Sequence, residues 1–322
     1  MFLGVGVMER AGSIIEQNWA HQRGMRGKSV GIVCFDTGLV AEHPDFKYMG
    51  KITAFYDCVN ERIGCYDDNG HGTHVAGIAS GNGVASYGAY CGVAPESRLI
   101  VVKILNQKGN GNIKDVLKGI DWVLKNRQRY GIQVANISIG TGKEEKQKED
   151  SELVQGVNAL WDRGIVVCVA AGNNGPAPGS IGAPGNSRKV ITVGACDDGQ
   201  EIWLNGRSTK DYSGRGPTSL CIKKPDFVAP GSNIISCNAF WNHNTMFGAK
   251  KNLVGNKYYT IKSGTSMSTP MVSGAVALLL GKYPEMTNRE VKIRLKQTVV
   301  DLGYPHQVQG WGQLNIRRLL EG

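Results

Sequence analysis

Several things are missing from this 322-residue sequence, and each absence narrows what the chain is. No apolar run approaches the length needed to cross a membrane, so no membrane partner is expected. No linker rich in proline, serine or charge interrupts it and no internal repeat appears, which makes one principal domain the simplest account. The charge balance is +10, yet the basic residues are scattered and no basic patch is interleaved with aromatics, so nucleic acid is not an expected partner. The densest charge run, Lys143 to Asp150, mixes both signs and reads as a solvated loop. Nothing in the sequence fixes an oligomeric state.

Cysteine is sparse and unpatterned. The eight residues, at 34, 58, 65, 91, 168, 196, 221 and 237, include no CxxC pair. Cys34 and Cys168 fall in apolar, strand-like runs, where a reduced thiol behaves as a small hydrophobe. The apolar opening Met1 to Met8 lacks a basic leader and a small-residue cleavage site, so it makes a poor secretory signal. A reducing, cytoplasmic setting is therefore expected. A secreted protein with its signal upstream of this sequence is the alternative, and there Cys58 and Cys65, flanking a short loop, would be the pair to join.

Glycine is abundant. Its 44 residues are roughly twice the usual share, which points to tight turns and to backbone lying close to a ligand. Residues 1–27 form a leading segment in which Ile14, Ile15, Asn18 and Trp19 have helical spacing; it is either processed or packed on the body, residues 28–322. Apolar runs at Ser29–Phe35, Arg98–Leu105, Gln133–Ile139, Ile165–Ala170 and Val190–Gly194 read as buried strands. Between them come a small-residue helix from His71, a helix through Ile113, Val116, Leu117, Ile120 and Leu124, capped by Asn112 and stopped by Gly131, and a helix from Leu153 to Arg163. This alternation predicts an α/β fold, a mostly parallel sheet with helices on both faces. The polar stretch Asn238 to Lys257 reads as a surface loop or hairpin, and Thr287 with Glu290 as a capping box.

Four places carry candidate chemistry. Ser266, in Ser263-Gly264-Thr265-Ser266-Met267-Ser268-Thr269-Pro270, precedes the apolar run Met271 to Leu280, so it belongs at a helix N-terminus, where free N–H groups favour developing negative charge. Asp36, in Asp36-Thr37-Gly38, ends a parallel strand, the edge where α/β folds place ligands. The same triplet occurs in aspartic proteases, but those are all-β and need two carboxylates, and no second triplet is present. His71 opens a helix and is suited to be a general base; with His74 one turn on it could instead hold a metal, although no general-base Glu and no third ligand accompany the pair. Asn173, after a glycine turn, can donate its amide to an oxyanion.

Asp36-Thr37-Gly38, His71-Gly72-Thr73-His74-Val75-Ala76-Gly77 and Gly264-Thr265-Ser266-Met267-Ser268-Thr269-Pro270 together resemble the subtilisin-like serine proteases, the subtilases of peptidase family S8. Gly92-Val93-Ala94-Pro95, Asn136-Ile137-Ser138-Ile139-Gly140, Ala171-Gly172-Asn173 and Val228-Ala229-Pro230-Gly231 extend the likeness from about Gly27 to Leu319. Gly119-Ile120-Asp121-Trp122-Val123 and Trp161-Asp162-Arg163-Gly164-Ile165-Val166-Val167 resemble the bacterial intracellular, AprX-type branch.

The resemblance implies a three-layer subtilisin-like fold and a serine endopeptidase acting on polypeptides through an acyl-enzyme. Asp36 would orient His71, His71 would take the proton of Ser266, and Asn173 with the Ser266 backbone N–H would bind the oxyanion. Ser138, Ile139 and Gly140 on one side, and Ala170, Ala171 and Gly172 on the other, would bracket the P1 side chain, with Gly182 near the pocket floor. No charge lies in these segments, so an apolar or aromatic P1 residue is expected. No cofactor is required, with one candidate structural site: Asp45 matches a calcium-ligand position, although Gly81 to Tyr90, which should complete it, offers no carboxylate. Met271 stands where many secreted relatives have His. The segment ahead of the body is shorter than their folding prodomain, which fits an intracellular enzyme. A peptide-binding pseudoprotease with a regulatory role is the alternative reading, and a His71–His74 metal hydrolase a third.

Overall fold

The computed structural model describes residues 7–48, 50–140, 150–204, 206–242, 253–254 and 256–322. The mixed-charge run lies outside them apart from Asp150, as do most of the apolar opening and much of the stretch between Asn238 and Lys257.

The apolar runs form the central sheet. Strands β1 (Gly31–Asp36), β2 (Ile52–Asp57), β3 (Arg98–Lys103), β4 (Ile132–Ile137), β5 (Val166–Ala170) and β6 (Ile191–Ala195) belong to it. After a short hairpin, β7 (Ile202–Leu204) with β8 (Arg207–Thr209), strand β9 (Phe227–Ala229) completes it. The order is β2-β3-β1-β4-β5-β6-β9, with every neighbouring pair parallel. A parallel sheet is buried on both faces, which is why its strands read as unbroken apolar runs rather than alternating ones. Strand β2 is the exception. It lies at the sheet edge and is half-exposed over most of its length, so its sequence carries no continuous apolar signal.

Helices cover both faces. Helix α1 (Val7–Ile14) and α2 (Gln17–Gln22) precede the sheet, and α3 (His71–Ser80), α4 (Ile113–Tyr130), α5 (Glu152–Asp162) and α6 (Thr265–Lys282) flank it. Helices α3 and α6 pack together against one face, and α4 and α5 together against the other. The ends of α4 obey local chemistry: the Asn112 side chain accepts from Asp115 N–H, and Gly131 terminates the helix at φ 60°. Helix α6 is apolar all round and almost wholly buried, as a helix between sheet and outer elements must be.

Strands β10 (Ile234–Cys237), β11 (Leu253–Val254) and β12 (Asn256–Lys262) make a small antiparallel sheet, order β10-β12-β11, that leads into α6. Of the two readings of Asn238–Lys257, loop or hairpin, the described end agrees with the hairpin, β11 pairing antiparallel with β12. Helices α7 (Asn288–Thr298), α8 (His306–Gln309) and α9 (Ile316–Glu321) close the chain, and α7 starts with the Thr287–Glu290 capping box.

The leading segment packs on the body. Arg10 pairs with Asp197 at 3.0 Å and donates to the Ser232 carbonyl. Gln17 donates to the Cys91 carbonyl at 3.0 Å, and the Ile15 carbonyl accepts from Ile316 N–H at 2.8 Å. All eight cysteines, Cys58 and Cys65 included, carry free thiols, and burial pushes Cys34, Cys58, Cys65 and Cys168 up to about 12.

Candidate active site

Strand β1 delivers Asp36 to its carboxyl end, where the side chain is buried. The imidazole of His71, in the first turn of α3, lies with Nδ1 2.8 Å from Asp36 Oδ1. Thr37 N–H also donates to Asp36 Oδ1, at 2.7 Å. This contact requires the first turn of α3 to press against the β1 exit. A Cβ at position 72 would collide with the Gly38 carbonyl, so the residue after His71 has to be glycine.

A second carboxylate fixes that approach. The N-cap of α3 is Gly70, which has no side chain to cap with. Asp67 does the work from outside the helix: Oδ1 accepts from Asn69 N–H (3.0 Å), Gly70 N–H (2.8 Å) and the Thr37 hydroxyl (2.8 Å). Its Oδ2 accepts from Thr73 N–H (2.9 Å) and the Thr73 hydroxyl (2.6 Å). Thr37 Oγ1 in turn accepts from Gly72 N–H at 2.8 Å. Burial pushes the Asp67 carboxyl up, but these donors outweigh it and hold it below the usual range. The Asp36 strand end and the His71 turn are therefore tied to one buried anion.

The two histidines of the motif part company. His71 faces β1, whereas His74 is fully buried and its Nε2 contacts the carbonyls of Ile234 (3.1 Å) and Thr260 (3.2 Å) in the small sheet. Burial, then Lys262 and His71, hold His74 well below its ordinary value. The rings bond to opposite elements, and the metal pair is not formed. Lys262, at the end of β12, is itself held low by burial and is attracted by both Asp67 and Asp36.

Ser266 sits in the first turn of α6, with Gly264 as N-cap at φ 135°. Its hydroxyl donates to the Ser138 carbonyl at 3.1 Å, while the Ser138 hydroxyl donates to the Ser266 carbonyl at 3.2 Å. The end of β4 and the start of α6 are thereby locked together, and Asn136, bonded to both Ser138 and Ser273, reinforces the lock. Asn173 follows β5. Its Oδ1 accepts from Thr265 N–H (2.9 Å) and the Thr265 hydroxyl (3.1 Å), and the same hydroxyl accepts from Gly172 N–H (3.1 Å). With Oδ1 so engaged, Nδ2 is the group of this cleft-lining amide left to donate. A Cβ on Gly264 would stand 3.0 Å from Nδ2 and crowd it.

A cleft of about 1280 Å³ is lined by His71, Asn173, Ser138, Ile139 and Gly140 among others. Gly140 and Gly172 both face open space, since a Cβ on either would meet nothing within 4 Å. Ala170 and Ala171 are buried behind Asn173 rather than on the cleft wall. The Gly182 carbonyl lies beside that of Ala170, both 3.0 Å from where a Gly185 Cβ would be.

Asp45 departs from the calcium expectation. It is fully buried, and its carboxylate accepts from Tyr259 Oη (2.9 and 3.0 Å), Ala85 N–H (3.0 Å) and the Cys237 thiol (3.5 Å). The nearby potential ligands are His43 and Cys237. His43 is already bonded through Nε2 to the Tyr258 carbonyl and through Nδ1 to Asp45 N–H. A single carboxylate among a thiol, an imidazole and a phenol does not fit a hard cation that takes six to eight oxygens.

Sequence reasoning passed over the roles of Thr37, Asp67, Asn69 and Thr265. The signal for Asp67 was present: a carboxylate three residues before a glycine N-cap is placed to reach the orphan N–H groups.

The subtilase family profile matches residues 27–312. The chain belongs to the subtilase family. Among its subtilase relatives, serine protease AprX of Bacillus subtilis is 42% identical over 277 residues, 84% of this chain and 61% of AprX. Subtilisin Savinase of Lederbergia lenta is 35% identical over 285 residues, 88% of each. The chain thus spans about three-fifths of the AprX sequence. A solved subtilase, a cold-adapted subtilisin-like serine proteinase, superposes with a TM-score of 0.69 at 27% identity, covering 90% of this chain and 89% of its own.

Proposed function

We propose that this subtilase is a serine endopeptidase in which Ser266 is the nucleophile, His71 the general base and Asp36 the group that orients and supports it. The observation that carries the reading is the Asp36–His71 contact of 2.8 Å at the carboxyl end of the parallel strands, where Asn173 follows β5 and the start of α6, bearing Ser266, is bonded to Ser138 after β4. In the free enzyme the Ser266 hydroxyl rests on the Ser138 carbonyl. Acylation requires it to turn to His71 Nε2 as the peptide enters, in keeping with catalytic hydrogen bonds that tighten only once substrate is bound. Asn173 Nδ2 and the Ser266 N–H, at the positive end of α6, are the donors for the tetrahedral oxyanion. Removing such an amide costs about 2.7–4 kcal/mol, a figure known from a subtilisin rather than worked from this geometry.

The substrate is an extended polypeptide whose backbone pairs with Ser138–Gly140 on one side, with the open face of Gly172 on the other. The open faces of Gly140 and Gly172 and the lack of charge in both segments support an apolar or aromatic P1 residue, with Gly182 beneath it. Eight free thiols support a reducing, cytoplasmic setting.

The test is hydrolysis of a casein-type substrate together with labelling by a fluorophosphonate probe. Wild type should show both and Ser266→Ala neither. Cleavage that survives in Ser266→Ala refutes the assignment, and an unlabelled, inactive wild type restores the pseudoprotease reading.

A further inference from the structure

Away from the reacting groups, the cleft runs between two walls. One is the segment from Leu105 to Val116; the other is Ser138–Gly140 with the start of α5 at Glu152 and Leu153. Apolar side chains from both walls meet in it, notably Val116, Ile139 and Leu153. Charge is distributed unevenly. The first wall places Lys108 and Lys114 on the cleft, both exposed and neither ion-paired among the described residues. Among the described residues, the second wall offers one carboxylate, Glu152.

The lysine wall is held in place. Asn69 Oδ1 accepts from His71 N–H at 3.2 Å, and Asn69 Nδ2 donates to the Gln107 carbonyl at 3.0 Å. The loop bearing Lys108 is therefore fastened to the turn that carries His71. Asn106 closes the same loop, accepting from Lys108 N–H (2.9 Å) and Asn110 N–H (3.1 Å). Lys114 lies in the first turn of α4, where the helix dipole disfavours a cation, so its placement costs local stability and adds to the positive potential over the cleft. Asp115, its neighbour, is not among the lining residues and accepts from Asn112 Nδ2 at 2.6 Å.

We propose that Lys108 and Lys114 are specificity-determining residues that select an acidic side chain in the substrate segment upstream of the scissile bond. The inference rests on the peptidase reading above, in which Ser138–Gly140 pairs with that segment; the lysines face it across the same cleft. They are solvent-exposed, so each attraction is modest and screened by salt. Replacing Asp by Lys in the substrate converts two attractions into two repulsions, and the combined effect on kcat/KM is roughly tenfold at low ionic strength.

The experiment uses fluorogenic peptides identical except for Asp, Asn or Lys at the second, third or fourth position before the cleaved bond. They are assayed with wild type, the Lys108→Glu/Lys114→Glu double variant and Lys210→Glu, an exposed charge change outside the cleft. Wild type should favour Asp over Lys at one or more positions, high salt should flatten the preference, and the double variant should reverse it. Lys210→Glu should leave it unchanged. Fluorophosphonate labelling of each variant at the parental rate establishes that the reacting groups are intact. Equal cleavage of Asp and Lys peptides by labelled wild type overturns the proposal, as does a preference that survives the double charge reversal or moves equally with Lys210→Glu. Absence of both labelling and cleavage in wild type overturns the underlying peptidase reading instead.

Discussion

Asp67→Asn isolates the anion that fastens the His71 turn to the Asp36 strand. The substitution keeps the shape and turns one acceptor oxygen into a donor NH2. Placed on the Oδ1 side, that NH2 would face three donors, Thr37 Oγ1, Asn69 N–H and Gly70 N–H; on the Oδ2 side it faces only Thr73. The amide therefore settles with NH2 towards Thr73, whose hydroxyl can turn round to accept, leaving one buried backbone N–H unpaired. An orphaned buried donor costs about 1–3 kcal/mol, and loss of a negative charge at a helix start about 0.3–1 kcal/mol more. The sum, about 1–4 kcal/mol, should appear in urea unfolding followed in a Ser266→Ala background, which prevents self-digestion. Because the N–H left unpaired is that of Thr73, in the same first turn as His71, that turn loosens, and kcat/KM in the Ser266 enzyme should fall between about tenfold and a hundredfold. The folded state holds the Asp67 carboxyl low, so its stabilisation is present above the ordinary value of 3.8 and is lost as pH falls through the folded value. Asp67→Asn should flatten that acid limb. A stability loss under about 0.5 kcal/mol, the size of an ordinary surface change, refutes the account.

Gly264→Ala places a methyl group against Asn173 Nδ2 at a backbone angle that side chains rarely adopt, and should lower kcat about a hundredfold with KM little changed, in a protein whose circular dichroism matches the parent. Chelation or addition of calcium should move the melting temperature by less than about 2 °C, since Asp45, its carboxylate already taken up by protein donors, leaves under about 1 kcal/mol of linkage there; Tyr259→Phe, which removes one donor to Asp45, should lower it. His21, His43, His74 and His306 are all held below 6.5, chiefly by burial. The unfolded chain then binds more protons than the folded one as pH falls below 6.5, so stability should drop on acidification, by up to about 1.4 kcal/mol per pH unit for each such group. Urea midpoints measured between neutrality and mild acid test the sign, and His74→Gln should reduce the slope.

What was legible in the sequence is what neighbouring residues decide. Asn112 and Gly131 mark the ends of α4, and Thr287 with Glu290 starts α7, because caps and stops act within four residues. The buried strands show as apolar runs for the same local reason. Strand β2 was missed because an edge position relaxes the demand for apolar residues, and β12 because a half-buried antiparallel strand next to a polar stretch lacks a continuous apolar run. The positions of Asp36, His71, Asn173 and Ser266 followed from strand ends, a helix start and a resemblance. The network around Asp67 did not follow, since the Thr37 hydroxyl that it holds lies 30 residues away in sequence. The surroundings of Asp45 were hidden more deeply. The phenol that occupies its carboxylate belongs to a residue 214 positions further on, and no local pattern announces it.

The bond from Ile316 N–H to the Ile15 carbonyl joins segments some 300 residues apart, and Asp36 and Ser266 are separated almost as widely. Bringing such distant segments together carries a loop-closure cost that is met only late in folding. During synthesis, strand β1 and the His71 turn leave the ribosome long before Ser266 does, and the leading helices wait longer still for the helix that fastens them. Under the peptidase reading, a nascent chain has no complete catalytic site until Ser266 has been made, 230 residues after Asp36.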